Sequence, residues 1–305
     1  MRYGGDSMMW RLVCCVALAI VVGAGFPGPT ETEGSRLVAQ ERPLPAPEPF
    51  LLETKTHLQT DSALQSSYMY VETRREQKLD KRGRVTEESR TVVENYPGVP
   101  GEPRWERVIE EHGRPVPAAR LEAQDRDRRR KAEENARRMA AEPKQEYARQ
   151  VREWEKYRDE AAERVDDIFR VFDIRMLGRE PIGGHDTIAF VLTPRRDARP
   201  RTREGGMMRR FSVRAWISEQ DHELVRLDAE AIDDLPFAWG LLARLHKGAT
   251  LSFERRKVNS EVWLPALVSY EGRARVGLVA VIRRAGASEY SSYRKFSVDT
   301  STTFP

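Results

Sequence analysis

Asn259-Ser-Glu-Val-Trp-Leu-Pro-Ala-Leu-Val-Ser-Tyr270 is a turn followed by a strand that is apolar on both sides. Val262, Leu264, Ala266, Val268 and Tyr270 alternate with Trp263, Pro265 and Leu267. Period-two alternation predicts a strand, and an apolar residue at nearly every position predicts that both faces are covered. Phe211, Val213, Ala215 and Ile217 put their apolar groups on one side only, with polar partners between. A sheet holding both kinds of strand meets covering helices on one face and more protein or a ligand on the other. It is expected to curve round something.

Working outward, the same pattern predicts strands over 68–79, 85–96 and 104–111, separated by the turns Asp80-Lys-Arg-Gly83 and Pro97-Gly98. Later strands are predicted over 172–179, 187–192, 211–217, 223–232, 250–258, 262–270, 276–283 and 290–298, with an Arg-rich loop over 194–210 and a loop or short helix over 233–245. Consecutive strands joined by short turns imply an antiparallel meander. A short helix is expected over Phe50–Leu58. Residues 120–166 hold 14 basic and 13 acidic residues, no Gly, and Pro143 as the single Pro. That composition predicts a helical hairpin or a long broken helix, with the break at Pro143. Tyr147, Val151, Trp154, Ala161, Val165, Ile168, Phe169 and Phe172 form a stripe on its second half. The first half has none and reads as a solvated helix held by i,i+4 ion pairs.

The chain has 305 residues, 33 % of them charged and 39 % hydrophobic, with a net charge of +4. The charged excess is concentrated in 120–166, so the remainder still supplies a core. Arginine dominates the cations, 43 against nine Lys. Such a bias also follows from genome base composition, so every Arg cluster carries that plain explanation.

The N-terminus reads as a secretory signal over residues 1–24: Arg2 and Arg11, the apolar run Leu12–Val22, and Val22-Gly-Ala24 before the cut. Met8 is an alternative start, and a retained anchor is the alternative to cleavage. Cys14 and Cys15 lie in this leader and are the only cysteines. The mature chain then has no disulfide and no Cys-based metal site. Residues 25–49, with six prolines, read as a disordered linker, and the expected compartment is the periplasm.

Tyr68-Met-Tyr-Val-Glu72, Leu79-Asp-Lys-Arg-Gly-Arg84, Val213-Arg-Ala-Trp-Ile-Ser218, Leu224-Val-Arg-Leu227, Asn259-Ser-Glu-Val-Trp-Leu-Pro265 and Tyr290-Ser-Ser-Tyr-Arg-Lys-Phe296 together resemble, in order and texture, the periplasmic lipoprotein-carrier superfamily (LolA/LolB-like, outer-membrane lipoprotein-sorting proteins). Ser218 stands where an Asp is usual. The resemblance covers about residues 50–116 and 172–298. It implies an α+β fold: an open, strongly curved antiparallel half-barrel covered by helices, one domain over 50–305 interrupted by a long charged helical insertion at 117–171. None of these motifs is catalytic, and fold alone does not transfer lipoprotein carriage.

No nucleophile elbow, P-loop or dinucleotide glycine pattern occurs, and the five histidines show no zinc spacing. The expectation is therefore no enzyme, no catalytic residue, no cofactor and no metal. Val225, Leu227, Phe253, Leu264, Val268, Leu278 and Ile282 are the candidate lining of an apolar cavity. The plain alternative is that they simply meet the helices. The carrier reading expects open space there, because burying an acyl chain gains about 0.8 kcal/mol per CH₂. Arg195, Arg196, Arg199, Arg201 and Arg203 are candidate contacts to an anionic lipid surface or an acidic partner, against the alternative of a solvated loop. The expected function is non-catalytic binding of a lipid or acylated, lipoprotein-like protein, with peripheral membrane contact and no nucleic acid. The alternative is an envelope protein-interaction or sensor module working through the charged helix 120–166.

Overall fold

The computed structural model describes residues 42–65, 68–96, 105–141, 143–237, 243–276 and 280–295. The expected signal over 1–24 lies outside them, as does most of the expected linker. Helix α1 (Pro47–Gln65) precedes β1 (Tyr68–Leu79), β2 (Val85–Tyr96), β3 (Trp105–Glu111) and β4 (Arg114–Pro115). Two long helices follow, α2 (Ala118–Ala141) and α3 (Pro143–Val171). The chain continues through β5 (Phe172–Arg179), β6 (Thr187–Pro194), the six-residue helix α4 (Arg203–Met208), β7 (Phe211–Ser218) and β8 (Leu224–Ala231). Small strands β9 (Leu235–Phe237) and β10 (Ala243–Leu245) come next, then β11 (Thr250–Val258), β12 (Val262–Val276) and β13 (Ala280–Lys295).

All pairings are antiparallel, in the order 4-3-2-1-13-12-11-8-7-6-5, with the β9–β10 hairpin attached to the end of β12. The first strand pairs with the last, from Tyr68 opposite Lys295 to Leu79 opposite Arg283. That pairing fuses an N-terminal and a C-terminal meander into one open, curved sheet of 13 strands whose edges are β4 and β5. The helical insertion runs from one edge to the other. The fold is the α+β half-barrel expected.

Local chemistry explains the elements. Asp80 Oδ1 accepts the backbone N–H groups of Arg82 (2.8 Å) and Arg84 (2.9 Å), and Gly83 takes φ +79°, closing the β1–β2 turn. Pro143 occupies the first position of α3, where a missing N–H costs nothing. At the β3 edge, the Val108 N–H donates to Gln124 Oε1 (2.9 Å) and Gln124 Nε2 donates to the Val108 carbonyl (3.0 Å). The α2 side chain thus stands in for a neighbouring strand and blunts that edge. Arg128 of α2 lies 4.5 Å from the ring centres of both Tyr96 and Trp105. Arg107 of β3 also pairs with Asp125 (3.0 Å) and Glu111 with Arg120, and further along α2 holds itself by ion pairs such as Arg130–Glu134 (2.9 Å) and Lys131–Asp127 (2.8 Å).

Several expectations are corrected. Residues 276–283 are not a separate strand. Gly272 and Gly286 sit inside two long strands, and the Tyr270 ring packs over Gly286, where an added Cβ would fall 2.5 Å from its Cζ. The loop 194–210 contains α4, and 233–245 contains β9 and β10. The stripe on α3 holds from Ala161 onward, but Tyr147 is 68 % exposed. Arg42–Ala46 do not float as linker. Arg179 Nη1 donates to the Arg42 carbonyl (2.9 Å), and α1 starts at Pro47.

Candidate functional site

One sheet face is covered by α1 and the last turns of α3. Leu51 and Leu58 of α1 and Ile168 of α3 pack on the cluster that includes Leu192, Val213 and Leu227. Phe50 is buried and stacks on Phe190, with centroids 5.8 Å apart. A cavity of about 50 Å³ remains between helices and sheet, lined by these apolar groups and Thr54. That volume admits a few water-sized bodies. Ligand pockets run to about 300–1,000 Å³, so no acyl chain fits this closed arrangement. The open space expected by the carrier reading is nearly full.

Polar contacts fasten α1. Lys55 pairs with Asp166 of α3 (2.8 Å), and His57 Nδ1 lies 3.3 Å from Glu223. Glu223 is itself held by buried Arg255 (3.0 Å), whose Nη2 also donates to the Trp263 carbonyl (2.6 Å). The His222 ring sits 4.7 Å from Phe50. Beside it, Asp221 accepts from Lys257 Nζ (2.8 Å) and Trp263 Nε1 (3.0 Å). Burial raises its pKa, but these donors outweigh it and hold the carboxyl below its ordinary value.

The expected lining residues divide. Leu227 and Phe253 belong to the helix-covered core, and half-buried Ile282 packs against it. Val268 is buried opposite Phe253 and so shares that face. Leu264 is a correction: it joins a separate cluster with Tyr68 and Val262. The cause is a β-bulge. Glu254 pairs with Leu267 and Arg255 with Pro265, which leaves Ala266 as the extra residue and reverses the alternation behind it. Val225 is the extra residue of a second bulge, between Leu224 and Arg226, and is buried outside the main cluster. Leu278 lies outside the described residues. Leu51, Leu58 and Ile168 were missed as lining, although the alternation of Phe211–Ile217 already marked the face they cover.

The basic loop is pinned from below by Asp167 of α3. Its fully buried carboxylate accepts the N–H of Arg201 (3.0 Å), the N–H of Thr202 (2.7 Å) and Thr202 Oγ1 (2.7 Å), and pairs with Arg170. Burial raises the Asp167 pKa, yet the Arg201 and Thr202 donors win and keep it below the ordinary range. Thr202 Oγ1 in turn accepts the Gly205 N–H (2.9 Å) and caps α4. Gly205 is required there, since a Cβ would lie 2.7 Å from Asp167 Cγ. Arg195 pairs with Asp173 (2.8 Å). Arg196, Arg199, Arg201 and Arg203 are exposed, and their guanidinium groups meet no carboxylate among the described residues.

Among the described residues no three His, Cys, Asp or Glu side chains gather to hold a metal ion. No described helix is long and apolar enough to cross a membrane. No family model and no curated protein matches the chain. Among solved structures, an outer-membrane lipoprotein-sorting protein domain from Vibrio parahaemolyticus is 9 % identical, covers 81 % of this chain and 90 % of its own, and has a TM-score of 0.29. A LolA superfamily protein from Nitrosomonas europaea is 11 % identical over 82 % of this chain and 94 % of its own, with a TM-score of 0.30. MucB in the MucA/MucB complex of Pseudomonas aeruginosa is 9 % identical over 82 % and 98 %, with a TM-score of 0.21. Scores this low carry no argument about function. The architecture stands on the strand order and register of this chain.

Proposed function

We propose that the protein is a non-catalytic binding protein of the periplasm that takes a lipid or acyl group onto the helix-covered sheet face when α1 moves. One observation carries this reading. A continuous apolar face is closed by a helix fastened at its surface by single polar contacts, the ion pair Lys55–Asp166 and the His57–Glu223 contact. A pair as exposed as Lys55–Asp166 contributes about 0–1 kcal/mol, and Glu223 keeps its partner Arg255 when His57 leaves. Displacing α1 therefore costs chiefly the burial of Phe50, Leu51 and Leu58, which an acyl chain replaces in kind. The nearly full cavity sets the condition: uptake requires movement, and the closed form holds no chain.

The test is native mass spectrometry with lipid extraction on protein purified from a periplasmic fraction, followed by addition of fatty acid. A stoichiometric adduct supports the reading. A clean apo mass with no uptake removes it.

A second reading has its own observation. Beyond its contacts with β3, the α2–α3 hairpin projects charged and exposed. This suits an envelope protein partner. Removing all of 120–141 would also strip Gln124 and Arg128 from the sheet. Excising 132–152 is the clean variant: it should leave thermal stability intact and abolish capture of the partner. Retained capture by the excised form would end this reading.

A further inference from the structure

The sheet register sorts the charges by end. At one end lie the starts of β1 and β6, the β7–β8 turn and the β11–β12 turn. Cations there are paired: Arg179 with Glu219 (2.7 Å), Lys257 with Asp221 (2.8 Å), Arg255 with Glu223 (3.0 Å) and Lys295 with Glu261 (3.0 Å). The other end gathers the β1–β2 turn, the 195–210 loop, the segment entering β11, and the β12–β13 hairpin. Its acids are taken up locally, Asp80 by Arg84, Asp233 by Arg210, Asp234 by Arg244 and Glu271 by Arg283. Lys81 and Arg82 in the turn, Arg196, Arg199, Arg201 and Arg203 in the loop, and Lys247 and Arg273 beyond are exposed with no carboxylate partner among the described residues. Among the described residues, Asp197, Glu204, Glu230 and, at the start of β2, Glu88 are acids of this end without an ion pair. Three exposed aliphatic side chains share this rim: Val85 (50 %), Ile232 (41 %) and Val281 (63 %).

Between the β1–β2 turn and the β10–β11 turn the rim holds a groove of about 610 Å³. Leu79 and Val281 supply its apolar lining, Lys81, Lys247, Arg273 and Arg283 its cations, and Asp80 and Glu271 its acids, which Arg84 and Arg283 take up. The volume lies inside the range of small-ligand sites, unlike the cavity beneath α1. Unpaired cations interleaved with exposed aliphatic groups on one rim are complementary to phosphate headgroups over hydrocarbon.

We propose that this end of the sheet docks on an anionic phospholipid bilayer, with the groove seating a headgroup phosphate. A cation near such a surface adds about five-fold in affinity, and the attraction is screened by salt. Docking here is independent of whether the face beneath α1 carries a ligand.

The experiment is flotation of the mature chain with vesicles of phosphatidylcholine alone and of phosphatidylcholine mixed with phosphatidylglycerol, at low and high salt. Binding only to the mixed vesicles, lost at high salt, is expected. Lys81→Glu, Arg199→Glu, Arg203→Glu and Arg273→Glu combined should reduce it more than a hundred-fold. Four reversals on the helical hairpin (Arg129→Glu, Lys144→Glu, Arg152→Glu and Lys156→Glu) remove the same net charge and should retain most of it. If the rim variant misfolds by circular dichroism, Gln at the same four positions replaces it and should still weaken binding many-fold. Equal loss in both charge variants assigns the effect to net charge and overturns the proposal. So does binding to phosphatidylcholine alone, or no binding at all. Binding of inorganic phosphate by the free protein with no binding to the mixed vesicles would mark a site for soluble phosphate instead of a bilayer, and also overturns it.

Discussion

Replacing Asp167 with Ala is the sharpest single perturbation of this fold. The carboxylate is fully buried and accepts two backbone N–H groups and a hydroxyl at 2.7–3.0 Å while pairing with Arg170. Its removal leaves the part-buried amides of Arg201 and Thr202 without that acceptor, at up to about 1–3 kcal/mol each. Truncating one partner of a buried charge pair costs about 3–5 kcal/mol. The terms overlap, so we expect a loss of about 3–5 kcal/mol by urea unfolding at neutral pH, and about half that for Asp167→Asn. Amide exchange should accelerate at Arg201, Thr202 and Gly205 before it does in the strands. The pH dependence has a definite sign. The folded pKa is depressed, so the contribution is complete above the ordinary Asp value of about 4 and is lost as pH falls through the lower folded value. The stability gap between the native chain and Asp167→Asn should be flat from neutrality to about pH 4 and narrow below it. A variant within about 0.5 kcal/mol of the native chain, or a gap that widens toward acid, would refute the account of Asp167 as the anchor of the basic loop.

Gly205→Ala drives a Cβ to 2.7 Å from Asp167 Cγ. It should cost about 1–3 kcal/mol by the same assay, and less in an Asp167→Ala background, where the obstacle is gone. Gln124→Ala removes both hydrogen bonds to Val108. A loss of about 1–2 kcal/mol should come with concentration-dependent light scattering from the uncovered β3 edge. Leu227→Ala and Leu264→Ala should each cost about 2–5 kcal/mol. Uptake of a fluorescent fatty acid should change only with Leu227→Ala, because Leu264 lies in the other cluster.

Strand positions were legible to within a residue or two wherever a turn announced itself. His112 and Gly113 both take positive φ in the β3–β4 hairpin, and Asn259 and Ser260 do so before β12. Pro143 marked the helix break for a reason visible in one residue. The failures have one physical source. Alternation assigns a face only while the pairing register is unbroken, and a bulge is a property of two strands together. Nothing in Val262–Tyr270 alone says that Ala266 has no partner, so Leu264 was placed with Val268 when the pair Arg255–Pro265 turns it away. The gap between the expected strands 276–283 and 290–298 has a similar origin. Gly286 lies inside that gap, and the strand runs on through it because Tyr270 of the neighbouring strand lies over it. The lining from α1 and α3 was missed because a helix docks on a face that the strands alone define.

Charge placement was the least legible property and has the largest consequence. A net charge of +4 on 305 residues describes a nearly balanced protein. The balance is local, however. It holds where Glu219, Asp221, Glu223 and Glu261 meet their cations, and it fails where Arg196, Arg199, Arg203, Lys247 and Arg273 do not. The difference arises because antiparallel pairing brings turns distant in sequence to one end of the sheet, so that residues 81, 199 and 273 share a rim. The two ends then suit different tasks. The paired end is where His57 and Glu223 fasten α1 over the apolar face. The unpaired end offers cations and exposed aliphatic groups outward. A chain docked by that rim would hold α1 away from the bilayer, so an acyl ligand entering beneath α1 would have to arrive from the aqueous side. Quenching of a probe on α1 by lipid-borne quencher in mixed vesicles discriminates directly: weak quenching with strong binding fits this arrangement, and strong quenching on α1 reverses it.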